Sequence, residues 1–116
     1  MSDTPAERLP EADYHRLSHA VLAGVEAQID RWLQDDVIDI DAQRTGGLLE
    51  LSFPGGSKIV LNTQPPLQEL WLAARSGGYH FRHTPTGWRD REGREFHEVL
   101  SQAASAQAGR PLVFSA

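Results

Sequence analysis

The sequence predicts an α+β fold, a two-layer sandwich in which helices near the two ends pack on one face of an antiparallel sheet of about six strands. Two observations predict this fold. Apolar residues recur every three or four positions in the first third of the chain and again near its end, which is typical of helices with one buried stripe. Between these stretches the period is two, and turn sequences such as "TGG" and "PGGS" separate the segments, as in a sheet of short strands.

The first helix is predicted from about Pro10 to Gln34. Pro10 suits the first turn of a helix, and the acids that follow it, Glu11 and Asp13, complement the positive end of the helix dipole. The predicted buried stripe consists of large apolar side chains spaced three or four residues apart: Tyr14, Leu17, Val21, Val25, Ile29 and Trp32.

Six strands are predicted next, each with alternate side chains pointing toward the core. The segments are "VIDID" (37–41), "LLELSF" (48–53), "KIVLNT" (58–63), 69–75, "YHFRH" (79–83) and 88–90. Pro65 and Pro66 have no N–H to donate to a sheet, so they break the pattern before the fourth strand. In that strand Leu70 and Leu72 face the core, which leaves Trp71 on the opposite, solvent-facing side.

The second helix is predicted from about Glu95 to Ala108 and stops at Gly109. Its apolar stripe is formed by Phe96, Val99, Leu100 and Ala103. The "PLVF" segment that follows is expected to pack back onto the domain. Both helices need a surface on which to bury a stripe, and one face of the sheet supplies it while the other face stays open to water.

With 116 residues the chain can bury one modest core, so a single domain, 1–116, is expected, with residues 1–9 as a flexible tail. It has no cysteine, which excludes disulfides, thiolate metal sites and cysteine nucleophiles. No run of about 18 apolar residues predicts a membrane span, and the acidic start "MSDTPAERLPEADYH" resembles neither a secretory signal nor a transit peptide. A cytoplasmic location with no membrane partner is therefore expected.

Charge is distributed unevenly along the chain. Residues 1–41 contain ten Asp and Glu against three Arg, a balance of −7, whereas residues 42–116 contain six against eight Lys and Arg, a balance of +2. The acidic third is expected to attract a cation, either a metal ion or a basic protein surface. Nucleic-acid binding is disfavoured, because phosphate neutralisation needs a basic stripe and this part has none.

The outer side of the first helix carries candidate metal ligands. His15, His19, Glu26 and Asp30 fall within roughly 60° of one another around the helix, opposite the buried stripe. We call the carboxylates that continue from this helix onto the first strand the acidic ridge: Glu26, Asp30, Asp35, Asp36, Asp39 and Asp41. Oxygen ligands suit iron, manganese, magnesium or calcium, and the two histidines at one end favour a transition metal. Without a closed cage the binding is expected to be weak, and a solvated helix face is the alternative interpretation.

The candidate partner surface is the open sheet face around Trp71. The neighbours expected there are Asn62, Gln64, Glu69 and Arg75. A Trp exposed among polar groups is typical of an interface anchor, because burying the indole against a partner releases several kcal/mol. A strand displaced by one residue, or a Trp that only covers the sheet locally, would give the same pattern without a partner.

The segment "GGLLELSFPGGSKIVLNTQPPLQELWLAARSGGYHF" resembles the core of the frataxin family in its short bacterial form, the CyaY type. The likeness runs from "YHRL" in the first helix to "QAG" near the end. It implies a two-helix, antiparallel-sheet sandwich and a non-enzymatic role in iron–sulfur cluster assembly, with iron bound weakly and reversibly by the acidic ridge. It also implies two partners, a cysteine desulfurase and the cluster scaffold protein, contacted through the ridge and through Asn62, Gln64 and Trp71. Ala27 and Arg31 stand where relatives often carry acids, which changes the expected number and strength of iron sites.

Two other functions fit the same residues. A ferroxidase would oxidise Fe²⁺ at His15, His19 and Glu26, although these residues are expected to be exposed and to lack the buried carboxylates of di-iron bundles. A metal-independent adaptor would use the acidic ridge only to bind a basic partner. Divalent cations other than iron also remain open as ligands of the ridge.

Overall fold

Two helices and six strands form the part of the chain that the computed structural model describes, residues 8–116. The helices are α1 (Glu11–Gln34) and α2 (Phe96–Ala108). The strands are β1 (Asp41–Thr45), β2 (Leu48–Ser52), β3 (Lys58–Gln64), β4 (Glu69–Ala74), β5 (Gly77–Thr84) and β6 (Gly87–Arg89), with a short 3₁₀ turn, Pro65–Leu67, between β3 and β4. All neighbours pair antiparallel in chain order, so β1 and β6 are the sheet edges. The predicted α+β fold is confirmed. Within residues 8–116 no helix is both long and apolar enough to cross a membrane.

One hydrophobic core lies between the helices and the inner face of the sheet. The sheet contributes a set of fully buried side chains: Leu49, Leu51, Ile59, Leu61, Leu70, Leu72 and Phe81. Tyr14 of α1 ties the two layers together. Its hydroxyl donates to the carbonyl oxygen of Glu69 at 2.7 Å and accepts the N–H of Gln64 at 3.0 Å. The hydroxyl thus satisfies two backbone groups where β3 ends and β4 begins, and it fixes α1 on the sheet.

The buried face of α1 is rotated from the predicted stripe. Ser18 and Leu22 are fully buried, whereas Leu17 and Val21 are only partly buried. Ser18 is polar and was therefore left out of an apolar stripe. Its small side chain lies in the core layer with the hydroxyl bonded to the carbonyl of His15 at 3.2 Å, which satisfies the hydroxyl within the helix.

The first strand lies further along the chain than predicted. Burial alternates as expected in "VIDID", since Ile40 is buried and both Asp39 and Asp41 are exposed. However, Asp41 pairs with Ser52, the last residue of β2, so residues 37–40 have no strand partner. The strand instead runs through "DAQRT", which has no apolar alternation because it is an edge strand.

Both ends of the described chain are tied to the core. Leu112 and Phe114 are buried, and the Phe114 ring packs edge-on against Trp32 with centroids 4.9 Å apart, so the predicted packing of "PLVF" is confirmed. Of the predicted tail 1–9, residues 1–7 lie outside the described residues. Leu9, the last residue of that segment, exchanges two hydrogen bonds with the Gln68 side chain, at 2.9 and 2.7 Å, which join it to the connection between β3 and β4.

Candidate functional site

The C-terminal end of α1 projects two aspartates into solvent. The N–H of Val37 donates to the Trp32 carbonyl at 2.8 Å, and the N–H of Asp36 donates to the Leu33 carbonyl at 3.2 Å, the bond pattern of a Schellman cap. That cap requires a left-handed residue, and Asp36 takes the position with a φ of 56°. The tight reversal leaves Asp35 and Asp36 exposed at the tip, next to the start of the sheet.

Five carboxylates of the acidic ridge are exposed to solvent: Asp30, Asp35, Asp36, Asp39 and Asp41. None of them makes a side-chain hydrogen bond or an ion pair within residues 8–116. No three metal-ligating side chains of this described part converge on one point. The carboxylates therefore form an open, negatively charged surface on which a hard cation can be bound by oxygen ligands together with water.

The sixth ridge carboxylate, Glu26, is separated from the others by its pairing with Arg44. Arg44 lies on β1 opposite Leu49, on the helix-facing side of the sheet. Its Nη1 lies 2.7 Å from Glu26 Oε1, and its Nη2 lies 2.9 Å from His19 Nδ1. A guanidinium therefore stands among the ligands that were predicted at this end of the helix.

The two predicted histidines do not belong to the same site as the aspartates at the helix tip. At 1.5 Å per residue, His15 and Asp35 are about 30 Å apart along α1, so the eight predicted metal ligands cannot surround one ion. His15 and His19 are stacked, with ring centroids 4.0 Å apart and planes 27° from parallel. Because imidazole lone pairs lie in the ring plane, stacked rings do not aim them at a common point. Burial, together with the neighbouring His15 and Arg44, lowers the pKa of His19.

The open sheet face presents one row of side chains across four strands: Leu48, Asn62, Trp71 and His80. The Trp71 and His80 rings are stacked, with centroids 4.1 Å apart and planes within 6° of parallel. Trp71 is half-buried and lies outside the core, while its neighbours Leu70 and Leu72 are buried. The predicted outward orientation of Trp71 is therefore confirmed.

Glu69 holds this aromatic pair in place from beneath. Its Oε1 accepts the indole N–H of Trp71 at 2.8 Å, and its Oε2 accepts Arg82 Nε at 2.8 Å, while His80 Nδ1 lies 3.7 Å away. Burial alone raises the pKa of Glu69, but the hydrogen bonds from Trp71 and Arg82, the positive charge of Arg82 and the nearby His80 ring bring that pKa below its usual value. The carboxylate is only 9% exposed, so it is a structural part of this face.

The other two predicted contact residues lie at different distances from Trp71. Gln64 pairs with Glu69 in the row next to Trp71. Arg75 lies in the turn between β4 and β5 rather than in a strand, and its N–H donates to Gln107 Oε1 of α2 at 2.9 Å. Four residues of strand put Arg75 about 13 Å from Trp71. The structure therefore groups Asn62 and Gln64 with Trp71 and separates Arg75 from them.

Comparison with known proteins identifies the family. A sequence profile of the frataxin-like domain matches residues 7–110. The chain belongs to the frataxin-like family. Curated relatives named iron–sulfur cluster assembly protein CyaY are 47% identical over 109 residues in Variovorax paradoxus (strain S110) and 46% identical over 109 residues in Burkholderia mallei (strain SAVP1). These alignments cover 93% of this chain and 99% and 100% of the two relatives.

Solved structures share the frataxin-like fold. Frataxin of Psychromonas ingrahamii, from the CyaY family, superposes with a TM-score of 0.82 at 28% identity, covering 93% of this chain and all of the other. Trimeric frataxin of the yeast Saccharomyces cerevisiae, complexed with ferrous iron, superposes with a TM-score of 0.57 at 23% identity, covering 91% and 93% of the two chains. At that identity the yeast protein supports the fold alone. The resemblance read from the sequence is confirmed.

Sequence reasoning missed two contacts that shape the surfaces of this frataxin-like chain. The stacking of Trp71 on His80 follows from a two-residue turn at 75–76, which pairs Ala74 with Gly77 and so Trp71 with His80. The predicted strands, 69–75 and 79–83, left three residues between them and did not specify this register. The pairing of Arg44 with Glu26 had no local signal. It depends on how β1 is placed beneath α1, which neither segment specifies alone.

Proposed function

We propose that this chain is an iron-binding protein of iron–sulfur cluster assembly in the bacterial cytoplasm. In this role it acts as an iron donor, as a regulator of the cysteine desulfurase and the scaffold protein, or as both. Membership of the frataxin-like family supports the proposal, as do relatives that are about 46–47% identical and are named iron–sulfur cluster assembly proteins.

The observation that carries the iron-binding part is the set of five exposed carboxylates from Asp30 to Asp41, which have no side-chain partner among residues 8–116. Charged side chains on protein surfaces are often paired, as Glu69 is with Arg82 and Asp90 with Arg94 in this chain. Five such acids in the short stretch between the end of α1 and the start of β1 raise the local negative potential, which a bound divalent cation reduces. Because these oxygens form no cage, iron is bound weakly and reversibly, and other divalent cations compete for the same oxygens.

Two surfaces serve the proposed protein partners. The acidic ridge attracts a basic surface on the desulfurase, and the row around Trp71 adds apolar contact. The Trp71 indole N–H is already donated to Glu69, so a partner meets the exposed part of the ring rather than a free donor. Asn62 and Gln64 border this ring and supply the polar contacts of the same surface.

We propose a non-enzymatic role. A ferroxidase at His15, His19 and Glu26 needs ligands that are open to Fe²⁺, whereas Arg44 is bonded to His19 and to Glu26. Removing this arginine from the cluster would cost two charge-assisted hydrogen bonds. This arrangement favours an assembly protein over an iron-oxidising enzyme.

The test uses a ridge variant in which Asp35, Asp36, Asp39 and Asp41 are all replaced by Asn. Anaerobic titration should show an affinity for Fe²⁺ that is lower by about tenfold or more, because four negative charges are removed from one surface. The variant should pull down less desulfurase than wild type does, with and without iron. The rate of cluster assembly, measured under the same two conditions, should no longer change when the variant is added. The matched control replaces four acids elsewhere by amides, Glu11, Asp13, Glu92 and Glu98, and should behave as wild type.

Each alternative outcome has a distinct signature. An unchanged iron titration in the ridge variant would remove the ridge from the mechanism. Partner binding that is equally tight in chelator would favour the metal-independent adaptor. Multiple turnovers of oxygen consumption with Fe²⁺ would favour the ferroxidase.

A further inference from the structure

Arg44 is held on three sides at the helical end of the acidic ridge. Its Nε donates to the Gly46 carbonyl at 3.0 Å, Nη1 to Glu26 Oε1 at 2.7 Å, and Nη2 to His19 Nδ1 at 2.9 Å. The Arg44 side chain is 23% exposed and that of Glu26 is 33% exposed, so the pair is partly shielded from water. A guanidinium fixed by three acceptors is part of the fold rather than a mobile surface charge.

These contacts occupy His19 Nδ1 and one carboxylate oxygen of Glu26, two atoms that a metal ion at this position would use. An arginine only donates hydrogen bonds, so His19 Nδ1 must accept with the lone pair that would otherwise bind a metal. Glu26 Oε1 is likewise committed to Nη1. His15, the remaining candidate, is stacked on His19 with the ring planes 27° from parallel, so the two rings do not share one metal ion.

We propose that Arg44 is an internal counter-cation that excludes divalent metal ions from the helical end of the ridge and restricts them to the carboxylates from Asp30 to Asp41. This inference rests on the proposed iron-binding function and adds a residue that determines where on the ridge iron is bound. The physical reason is that an ion at His19 and Glu26 would lie within a few ångströms of a positive charge and would have to break two charge-assisted hydrogen bonds.

The restriction has a consequence for the proposed role. Carboxylates and water bind iron reversibly, whereas the His19 imidazole together with the Glu26 carboxylate would bind transition metals more tightly and favour copper, nickel or zinc over iron. By occupying the imidazole end, Arg44 keeps the ridge a hard, oxygen-only surface. Iron bound there can be passed on, and tighter-binding metals gain no nitrogen ligand.

The test titrates wild type and Arg44→Gln with Co²⁺ and monitors the backbone amide and histidine ring resonances by NMR. In wild type, Co²⁺ should perturb the amides of residues 30–41 first and leave the His19 ring unchanged, since His19 is about 16 Å from Asp30 and about 24 Å from Asp35 along the helix. In Arg44→Gln, the His19 ring should shift at Co²⁺ concentrations lower by about tenfold or more, because the repelling charge is gone. The double variant Arg44→Gln with Glu26→Gln should lose this gain.

Arg31→Gln is the matched control. Arg31 is an exposed residue of α1 that bonds Gln28 at 2.9 Å, and it lies close to Asp30 and Asp35. Its replacement removes the same charge beside the ridge, so it should strengthen Co²⁺ binding at the aspartates and leave the His19 ring unshifted.

Two results would overturn the proposal. One is a wild-type His19 ring that shifts at the same Co²⁺ concentration as the aspartate amides. The other is a folded Arg44→Gln variant whose His19 ring responds as in wild type. If Arg44→Gln does not fold, Arg44→Lys replaces it. Because Lys retains the positive charge, the His19 ring resonances should not shift during the Co²⁺ titration, and a shift of these resonances would count against exclusion of the metal by charge. None of these readouts involves cluster assembly, so the failure of this inference and that of the proposed function are separate results.

Discussion

The Glu69 carboxylate organises the side chains of the proposed partner surface around Trp71 from a buried position. The residue lies on the open face of the sheet, yet its side chain is only 9% exposed because Trp71, His80 and Arg82 cover it. By accepting the indole N–H it fixes the orientation of the ring before a partner arrives. Less rotamer freedom is then lost on binding, which favours affinity.

The Glu69 interactions predict a pH dependence of stability. The pKa of Glu69 is lower in the folded protein than in the unfolded chain, where it is near 4.5. A depressed carboxyl pKa contributes stability above the unfolded pKa, and this contribution is lost as pH falls through the folded pKa. The free energy of unfolding of wild type should therefore exceed that of Glu69→Gln at pH 7, and the difference should narrow between pH 5 and pH 3.

Urea unfolding of the two proteins across this pH range measures the difference directly. Glu98→Gln serves as the control for the loss of one exposed carboxylate, since Glu98 makes no ion pair within the described residues. A gap between wild type and Glu69→Gln that stays constant down to pH 3 would contradict the assigned role of the carboxylate.

At the scale of elements, Asp36 in the C-terminal cap of α1 combines a strained backbone conformation with an exposed negative charge. A Schellman cap favours glycine at its left-handed position, and an L-residue there costs about 1 kcal/mol. Asp36 occupies that position with a φ of 56°. The cost is consistent with a residue whose carboxylate serves function rather than stability.

This conflict predicts opposite effects of glycine at two adjacent aspartates. Asp36→Gly should raise the free energy of unfolding by about 0.5–1 kcal/mol, because it relieves the left-handed strain, and it should weaken Fe²⁺ binding through the lost charge. Asp35 has a φ of −91°, so Asp35→Gly should lower stability by a similar amount through added chain entropy. Urea unfolding and anaerobic Fe²⁺ titration of both variants check this, and equal stability changes would contradict it.

The elements also show what a sequence can and cannot specify. Both helices and the outward position of Trp71 follow from periodicity and caps that each segment carries itself, such as Gly109 with its φ of 71° at the end of α2. The position of β1 does not, because an edge strand of sequence "DAQRT" is defined only by its pairing with β2. The same limit applied to the site: the aspartates could be found as a charge run, but Arg44 could not, since its partners Glu26 and His19 lie on another element.

At the scale of the whole molecule, the sheet order places the two proposed contact surfaces within reach of one partner. Asp41, at the β1 edge, lies on the same open face as Trp71 of β4. Three strand spacings across the sheet and four residues along a strand separate them, which amounts to about 20 Å. An ordinary interface of about 800 Å² per partner is roughly 30 Å across, so one docked protein can cover both.

This geometry predicts that the two surfaces control different rate constants of the proposed binding to the desulfurase. Asp39→Asn with Asp41→Asn should lower the association rate severalfold at low salt and approach wild type as salt is raised, because charge steers encounter and is screened over about 8 Å at physiological ionic strength. Trp71→Ala should leave the association rate nearly unchanged and raise the dissociation rate about 10- to 100-fold, because short-range burial is lost. Stopped-flow binding across a salt series separates the two effects.

The outward position of Trp71 also predicts a small effect on stability. The free energy of unfolding of Trp71→Ala should lie within about 2 kcal/mol of the wild-type value, whereas Leu72→Ala, on the buried face of the same strand, should lower it by about 2–5 kcal/mol. If Trp71→Ala lowers the free energy of unfolding as much as Leu72→Ala does, its faster dissociation from the partner reflects a loss of folded structure, and the indole is not a contact residue.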